Sequence, residues 1–259
     1  MVSGIKRGAT RKPVRKERQP WAWAQVIQHS VFVLALLSLV AGGVYLQQED
    51  TLPIAHVTVE GEFIHVDKDA LVAAVSPYVR GSFLSADVAG MREAGEALPW
   101  VKKIQVRRVW PDSLHLIVEE QIAIARWGKT GLVNADGETF YPSEETITSN
   151  LTLLRGPENS HELMTSRYQN MNKVLAEVDL KIDSLIVDER RAWSMTLSNG
   201  LKIALGRAAS EQRFKRFMTV YQSGLKKYQA QIEKMDMRYT NGLSVHWKQG
   251  QKPDFNGTV

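Results

Sequence analysis

Val101-Lys102-Lys103-Ile104-Gln105-Val106-Arg107-Arg108-Val109-Trp110-Pro111-Asp112-Ser113-Leu114-His115-Leu116-Ile117-Val118-Glu119-Glu120 carries the clearest backbone pattern of the chain. Ile104 and Val106 alternate with polar neighbours, as do Leu114, Leu116 and Val118, which is the period of a strand with one buried face. Pro111-Asp112-Ser113 has the residues of a turn between them. Strands are therefore expected at 101–110 and 114–120.

Working towards the N-terminus, a helix is expected from about Ala86 to Leu98, with Val88, Met91 and Leu98 on its apolar side and Ser85 or Asp87 as cap. Gly90 and Gly95 weaken its intrinsic propensity. Asp67 can cap an earlier helix whose apolar positions are Leu71, Val72, Val75 and Val79, and Pro77 should stop it around Ser76. His56–Glu60 alternates again, with Val57 and Val59 on one face and Gly61 at the end. The resulting order is β-α-α-β-β, two helices on a small mixed sheet. No strand leads into a glycine-rich phosphate loop, so a doubly wound nucleotide fold is not indicated.

Further upstream the composition changes. Residues 1–18 hold seven Lys/Arg against Glu17 alone, and residues 19–48 hold no Asp, Glu, Lys or Arg. As a helix, Ile27–Leu46 would span roughly 30 Å, one hydrocarbon thickness. Positive charge ahead of a first apolar segment predicts a cytoplasmic N-terminus and export of the remainder. A cleaved signal peptide is the alternative, with Val31–Val40 as its apolar region and small residues at Ala41 and Gly43. The formal charge of +5 is a property of the tail, because the first 18 residues supply +6 and the rest is −1. No basic body for nucleic acid is expected. The absence of cysteine suits an oxidising compartment and excludes thiol chemistry and Cys-ligated metal.

Beyond Ile124 a second module is expected. Asn134-Ala135-Asp136-Gly137 reads as a turn between Leu132-Val133 and Thr139-Phe140, and Leu151–Leu154 as a further strand. Helix 161–178 carries Met164, Tyr168, Met171, Leu175 and Val178 at helical steps, and its methionines suit a core. A meander follows at Ile182–Asp188, Trp193–Leu197 and Leu201–Leu205, with the hairpin signal Asn199-Gly200. Helix 209–229 presents Phe214, Phe217, Met218, Tyr221, Leu225 and Tyr228. Final strands at Ile232–Tyr239 and Leu243–Trp247 are joined by Thr240-Asn241-Gly242. The fold class is α+β, with an extended antiparallel sheet in this second module.

Catalytic patterns are missing. The six histidines form no H-E-x-x-H, and neither G-x-S-x-G nor a phosphate-loop motif occurs. Glu119 and Glu120, as neighbours on a strand, point to opposite faces and cannot flank one bond. No enzyme activity, cofactor or metal is expected. The positive signals are surface ones: Arg190-Arg191 beside Trp193, and the hairpin Tyr239 to Trp247, residue types that concentrate interface energy. The same aromatics could instead fill the core.

Several segments together resemble the bacterial FtsQ/DivIB cell-division family, particularly its gammaproteobacterial form. They are Leu98-Pro99-Trp100-Val101, Val106 to Leu114, Val118-Glu119-Glu120-Gln121, Ala125-Arg126-Trp127, Glu189 to Trp193, and Met237 to Trp247. The resemblance covers residues 20–248 and implies a basic cytoplasmic tail (1–25), a transmembrane helix (26–48), a POTRA domain (49–123), a β domain (124–250) and a flexible tail (251–259). It implies a non-enzymatic scaffold, single-pass in the inner membrane, mostly periplasmic and enriched at the septum. Its implied partners are FtsB and FtsL through the β domain, and FtsK and other division proteins through the POTRA and membrane regions. The implied contact residues are Arg190, Arg238, Tyr239, Asn241, Gly242 and Trp247. Thr240-Asn241-Gly242 departs from the Asp-Ser-Gly often found there in enterobacterial members. Two other readings compete on the residues alone: a POTRA-type secretion adaptor and an envelope hydrolase.

Overall fold

The uncharged N-terminal segment forms one helix, α1 (Trp23–Leu46). Its apolar stretch Gln25–Tyr45 is 21 residues long, enough to cross a membrane, and no other described part of the protein covers it. His29, a polar residue within it, places Nδ1 2.6 Å from the Gln25 carbonyl of its own helix. The computed structural model describes Gly8 and residues 23–46, 53–147 and 150–253. Apart from Gly8, the basic tail lies outside the described residues, as do nearly all of the connector after α1 and the C-terminal tail beyond residue 253.

The first sheet is built from β1 (His56–Glu60), α2 (Lys68–Val75), α3 (Val88–Glu96), β2 (Val101–Val109) and β3 (Ser113–Glu120). Its strand order is β1-β3-β2, with β1 parallel and β2 antiparallel to β3, so the sheet is mixed as expected. Asp67 caps α2 by accepting from the N–H of Asp69 at 2.9 Å and of Ala70 at 3.5 Å. At its other end α2 passes into a 3-10 turn, Ser76–Tyr78, which contains Pro77. Asp87 caps α3 through the Gly90 N–H, whereas Ser85 bonds within the preceding turn to Ser82. The α3 glycines have a packing cause: a Cβ on Gly95 would stand 2.2 Å from Ile104 Cδ1, and one on Gly90 2.3 Å from Tyr78 Cδ1. Small residues let α3 lie close on β2 and on the 3-10 turn. Leu71, Val75 and Met91 meet Ile104, Leu114, Leu116 and Val118 in the core beneath.

The second sheet has β4 (Ala123–Trp127), β5 (Gly131–Asn134), β6 (Thr139–Phe140), β7 (Thr152–Arg155), β8 (Ile182–Val187), β9 (Trp193–Leu197), β10 (Lys202–Gly206), β11 (Ile232–Asp236) and β12 (Ser244–Trp247). They lie in the order β12-β11-β10-β9-β8-β7-β4-β5-β6. The expected all-antiparallel sheet is corrected here, because β4–β7, β7–β8 and β10–β11 run parallel. The cause of the last two is the helical crossover: α4 (His161–Ala176) and α5 (Ser210–Val220) carry the chain back to the edge it left. β4 has no counterpart among the expected strands, since Ala-Ile-Ala-Arg-Trp shows little alternation.

Helix 209–229 is also corrected. Regular α-helix ends at Val220, followed by a π turn Tyr221–Leu225 and a 3-10 turn Lys226–Tyr228. Met164 and Met171 lie in the core with Leu185, Ile203, Phe214 and Phe217, as their spacing suggests.

The two sheets share a core. Trp100, just before β2, stacks on His65 at 4.0 Å, meets Phe140 of β6 edge-on at 5.2 Å, and donates Nε1–H to Thr146 Oγ1 at 2.9 Å. Leu132 and Phe140 of the second sheet thus belong to the hydrophobic cluster of the first. Lys102–Asp136 (2.8 Å) closes the seam at its surface and the buried Asn134 bonds Gln121 (3.0 Å) beneath it.

Candidate partner-binding edge

β12 closes one end of the second sheet, bonded to β11 on one side and to no described strand on the other. The ladder pairs Ile232 with Trp247, Lys234 with His246, Met235 with Val245 and Asp236 with Ser244. It is shorter than the expected strands, because β11 stops at Asp236 and β12 starts at Ser244. Met237 still donates its N–H to Ala204 O of β10 at 2.9 Å, and the carbonyls of residues 237–240 turn to α5.

Two arginines one turn apart on α5 make those bonds. Arg216 donates through Nη1 to Thr240 O (2.6 Å) and through Nη2 to Tyr239 O (2.7 Å) and Met237 O (2.9 Å). Arg213 donates to Leu205 O (2.7 Å) and Arg238 O (2.9 Å). The backbone carbonyls of four successive residues, 237–240, are thereby held by guanidinium groups, and charged donors make such bonds stronger than neutral ones. The buried Asp236 adds a second constraint. It accepts from the Arg238 backbone N–H (3.0 Å), from Arg238 Nε and, at 2.6 Å, from Nη2. The Arg238 side-chain bonds hold its carboxyl below the usual range, against the upward push of burial.

Tyr239 is fixed by its backbone while its side chain stays 57% exposed. Asn241 and Gly242 are exposed beside it. Gly242 has no positive φ, and no described atom beyond its chain neighbours lies within 4 Å of where its Cβ would stand, so the described residues give no reason for glycine there.

Arg190 sits in the β8–β9 turn, where Asp188 Oδ1 accepts the Ala192 N–H at 2.7 Å. Register places this turn at the same end of the sheet as the 237–243 loop, since Val187 and Gly206 both pair with Trp193, and Ala204 and Ser244 both with Asp236. Two to three strand spacings, roughly 10–15 Å, separate them laterally. Arg190, Arg238, Tyr239, Asn241 and Gly242 are therefore brought to one end. Trp247 lies at the other end of β12, half-buried against the core, its ring edge-on to Tyr228 at 6.1 Å. Trp193 is buried, and Arg167 of α4 covers it at 4.5 Å while bonding Ser210 Oγ at 2.6 Å. Arg213 and Arg216 were legible only as a spacing of three on the polar side of a helix, which usually means solvated charge.

A second feature lies where the sheets meet. Glu119 and Glu120 do face opposite ways: Glu119 reaches Lys102 at the surface, whereas Glu120 turns inward. Its carboxylate accepts from the N–H of Ile64 (2.9 Å), His65 (2.8 Å) and Val66 (3.4 Å), with His65 Nδ1 at 2.8 Å. Burial pushes its pKa up, but the Ile64 N–H, the His65 ring and the remaining amides outweigh it and hold the group low. An open cleft of about 540 Å³ beside it is lined by Ile64, Trp100, Lys103, Ile117 and Ile122. Among the described residues no three His, Asp or Glu side chains gather to hold a metal ion.

Comparison with known proteins adds to this geometry. Residues 52–121 match the family profile described as "POTRA domain, FtsQ-type", and residues 125–238 match "Cell division protein FtsQ/DivIB, C-terminal". The chain is 35% identical over 216 residues to "Cell division protein FtsQ" of Coxiella burnetii, covering 83% of this chain and 89% of that protein. It is 38% identical over 223 residues to the protein of that name in Allochromatium vinosum, covering 83% and 87%. The chain belongs to the FtsQ/DivIB family. The first sheet with its two helices is accordingly the FtsQ-type POTRA unit, and β4 to β11 of the second sheet fall in the FtsQ/DivIB C-terminal match, with β12 beyond its end. Membership makes this a cell-division protein with a general scaffolding role in the divisome, and its one described helix of spanning length suits membrane attachment.

Proposed function

We propose that the chain is a non-enzymatic scaffold that binds FtsB and FtsL in the periplasm through the β12 edge and the 237–243 loop, linking early and late division proteins and helping to control septal peptidoglycan synthesis. The observation that carries the reading is the β12 edge, which has no described strand on its outer side, beside a loop whose backbone is fixed and whose Tyr239 side chain is exposed. Unpaired strand groups accept an added strand, and alternate side chains select which one. Gly242 leaves room for another backbone to approach, Tyr239 supplies contact area, and Arg190 offers a charge to a partner carboxylate.

The proposed division of the chain is a cytoplasmic tail at 1–25, a retained transmembrane helix at 26–48, POTRA at 49–123, the β domain at 124–250 and a tail at 251–259. The topology is single-pass with the N-terminus inside, concentrated at the septum, and FtsK and other division proteins dock through the POTRA and membrane regions. A shared membrane raises the effective concentration of the partners, so a modest edge interface suffices.

Co-purification of the full chain with FtsB, followed by crosslinking along residues 232–247, tests the reading. Crosslinks are expected from 239–247 on β12 and its loop. Tyr239→Ala should lose FtsB capture while its unfolding midpoint stays unchanged. Full capture by a well-folded Tyr239→Ala chain would remove Tyr239 from the interface, and crosslinks confined to the POTRA unit would overturn the edge.

A further inference from the structure

The β2–β3 turn ends in side chains that the fold does not use. Trp110 is 78% exposed and Val109 47%, and Trp110 makes no hydrogen bond or ring contact with any described residue. Leu84, 51% exposed, belongs to the same end of the POTRA unit, because Arg108 donates from Nε to the carbonyl of Phe83 and from Nη2 to that of Ala86. Arg80, four residues before Leu84, and Arg107, three before Trp110, are exposed, with Arg107 Nη2 donating to Gln105 Oε1 at 3.4 Å. The tip thus presents an indole and two aliphatic side chains with guanidinium groups around them.

The path of the chain says what covers this tip. Asp112 O accepts the N–H of Ala55 at 2.9 Å and of His56 at 3.4 Å, and Pro53 bridges to Ser82. The turn is therefore tied to the point where the chain enters the POTRA unit. Only six residues, 47–52, separate Pro53 from the end of α1 at Leu46. Even fully extended they span at most about 25 Å. If α1 crosses the bilayer, the Trp110 tip is held close to the outer lipid surface.

We infer that the Leu84–Val109–Trp110 tip is a second membrane contact, which seats the POTRA unit on the lipid interface. An indole is favoured at the boundary between hydrocarbon and headgroups, where its apolar body is buried and its N–H stays wet. Arg80 and Arg107 meet headgroup phosphates, for which guanidinium groups are suited. The contact restricts the swing of the periplasmic portion about the connector, and so sets the direction in which the distal β12 edge points. The inference rests on α1 being a retained anchor.

The natural chain lacks cysteine, so single labels can be placed cleanly. The full chain is reconstituted in phosphatidylethanolamine–phosphatidylglycerol vesicles with a polarity-sensitive dye on Leu84→Cys or, as reference, on Lys202→Cys of the second sheet. Quenching by lipids spin-labelled at the headgroup is expected to be several times stronger at position 84. Adding Trp110→Ser should bring it down to the reference level without moving the unfolding midpoint. Equal, weak quenching at both positions in chains that float with the vesicles overturns the membrane contact and leaves the anchor standing. Chains that fail to float overturn both. Shielding of position 84 that appears only after FtsB and FtsL are added makes the tip a protein surface and overturns the lipid assignment.

Discussion

Arg216 Nη2 lies 2.7 Å from the carbonyl oxygen of Tyr239, a bond between the middle of α5 and the loop at the exposed edge of the second sheet. It makes the position of the most exposed aromatic residue at that edge a property of the helix that precedes β11. The same guanidinium also holds Met237 O and Thr240 O.

Arg216→Ala removes all three bonds; water can meet the exposed Tyr239 and Thr240 carbonyls, but the part-buried Met237 carbonyl loses its donor. The expected cost is about 1–3 kcal/mol of stability, read by denaturant unfolding, because an unmet polar group costs more than its bond contributed. FtsB capture should fall further than the stability loss explains, since the loop no longer presents Tyr239 in one place. Arg216→Lys, with one charged donor group in place of the planar fork, should recover part of the stability and little of the capture.

Tyr239→Ala and Trp247→Ala should separate cleanly. Tyr239 is exposed in the free chain, so its loss should leave unfolding unchanged and weaken FtsB binding by about tenfold or more, the scale of an interface hot spot. Trp247 packs against Tyr228 and the core, so Trp247→Ala should cost roughly 1–3 kcal/mol, below the range for fully buried aromatics. Calorimetry and titration on the same samples decide both.

Gly95→Ala sets two effects against each other. Alanine in a helix interior gains about 1 kcal/mol over glycine, but its Cβ would stand 2.2 Å from Ile104 Cδ1. Overpacking of a close-packed site costs about 1–3 kcal/mol. The net expectation is destabilisation, seen as a lower unfolding midpoint. Shortening the neighbour in Gly95→Ala/Ile104→Val should restore part of it.

Acid should loosen two places. Glu120 and Asp236 both have carboxyl pKa values held below normal, so in the acid range the native chain binds fewer protons than the unfolded one. Stability from these groups is therefore present above the ordinary carboxylate pKa, near 4, and is lost as pH falls through their lower folded values. Glu120→Gln should be less stable than the natural chain at neutral pH and should lose less on acidification. Circular dichroism across an acid titration reads both.

The hairpin 101–120 was legible because each strand buries one face and alternates, and helix 161–178 because its large apolar residues keep the helical period. β4 was not, since Ala123 to Trp127 has only one fully buried side chain, Ala125, and no apolar contrast. The parallel pairings were hidden because strand direction depends on where a crossover helix returns the chain, which local pattern does not encode. Of the candidate site, Arg190-Arg191 and the Tyr239 to Trp247 hairpin drew attention as residue types. Arg213 and Arg216 did not, because their partners are backbone carbonyls of residues 205 and 237–240, brought to them only by the α5 crossover. Resemblance to the family singled out Tyr239 and Gly242; the structure leaves the first exposed and the second in open space among the described residues.

The Trp100 seam has a mechanical consequence. With its indole stacked on His65, edge-on to Phe140 and bonded to Thr146, Trp100 ties the two sheets together. Whatever is fastened to the POTRA unit is then kept at a set reach from whatever is fastened to the β12 edge. The two-sheet portion behaves as a ruler, fixing how far apart two attachments stand.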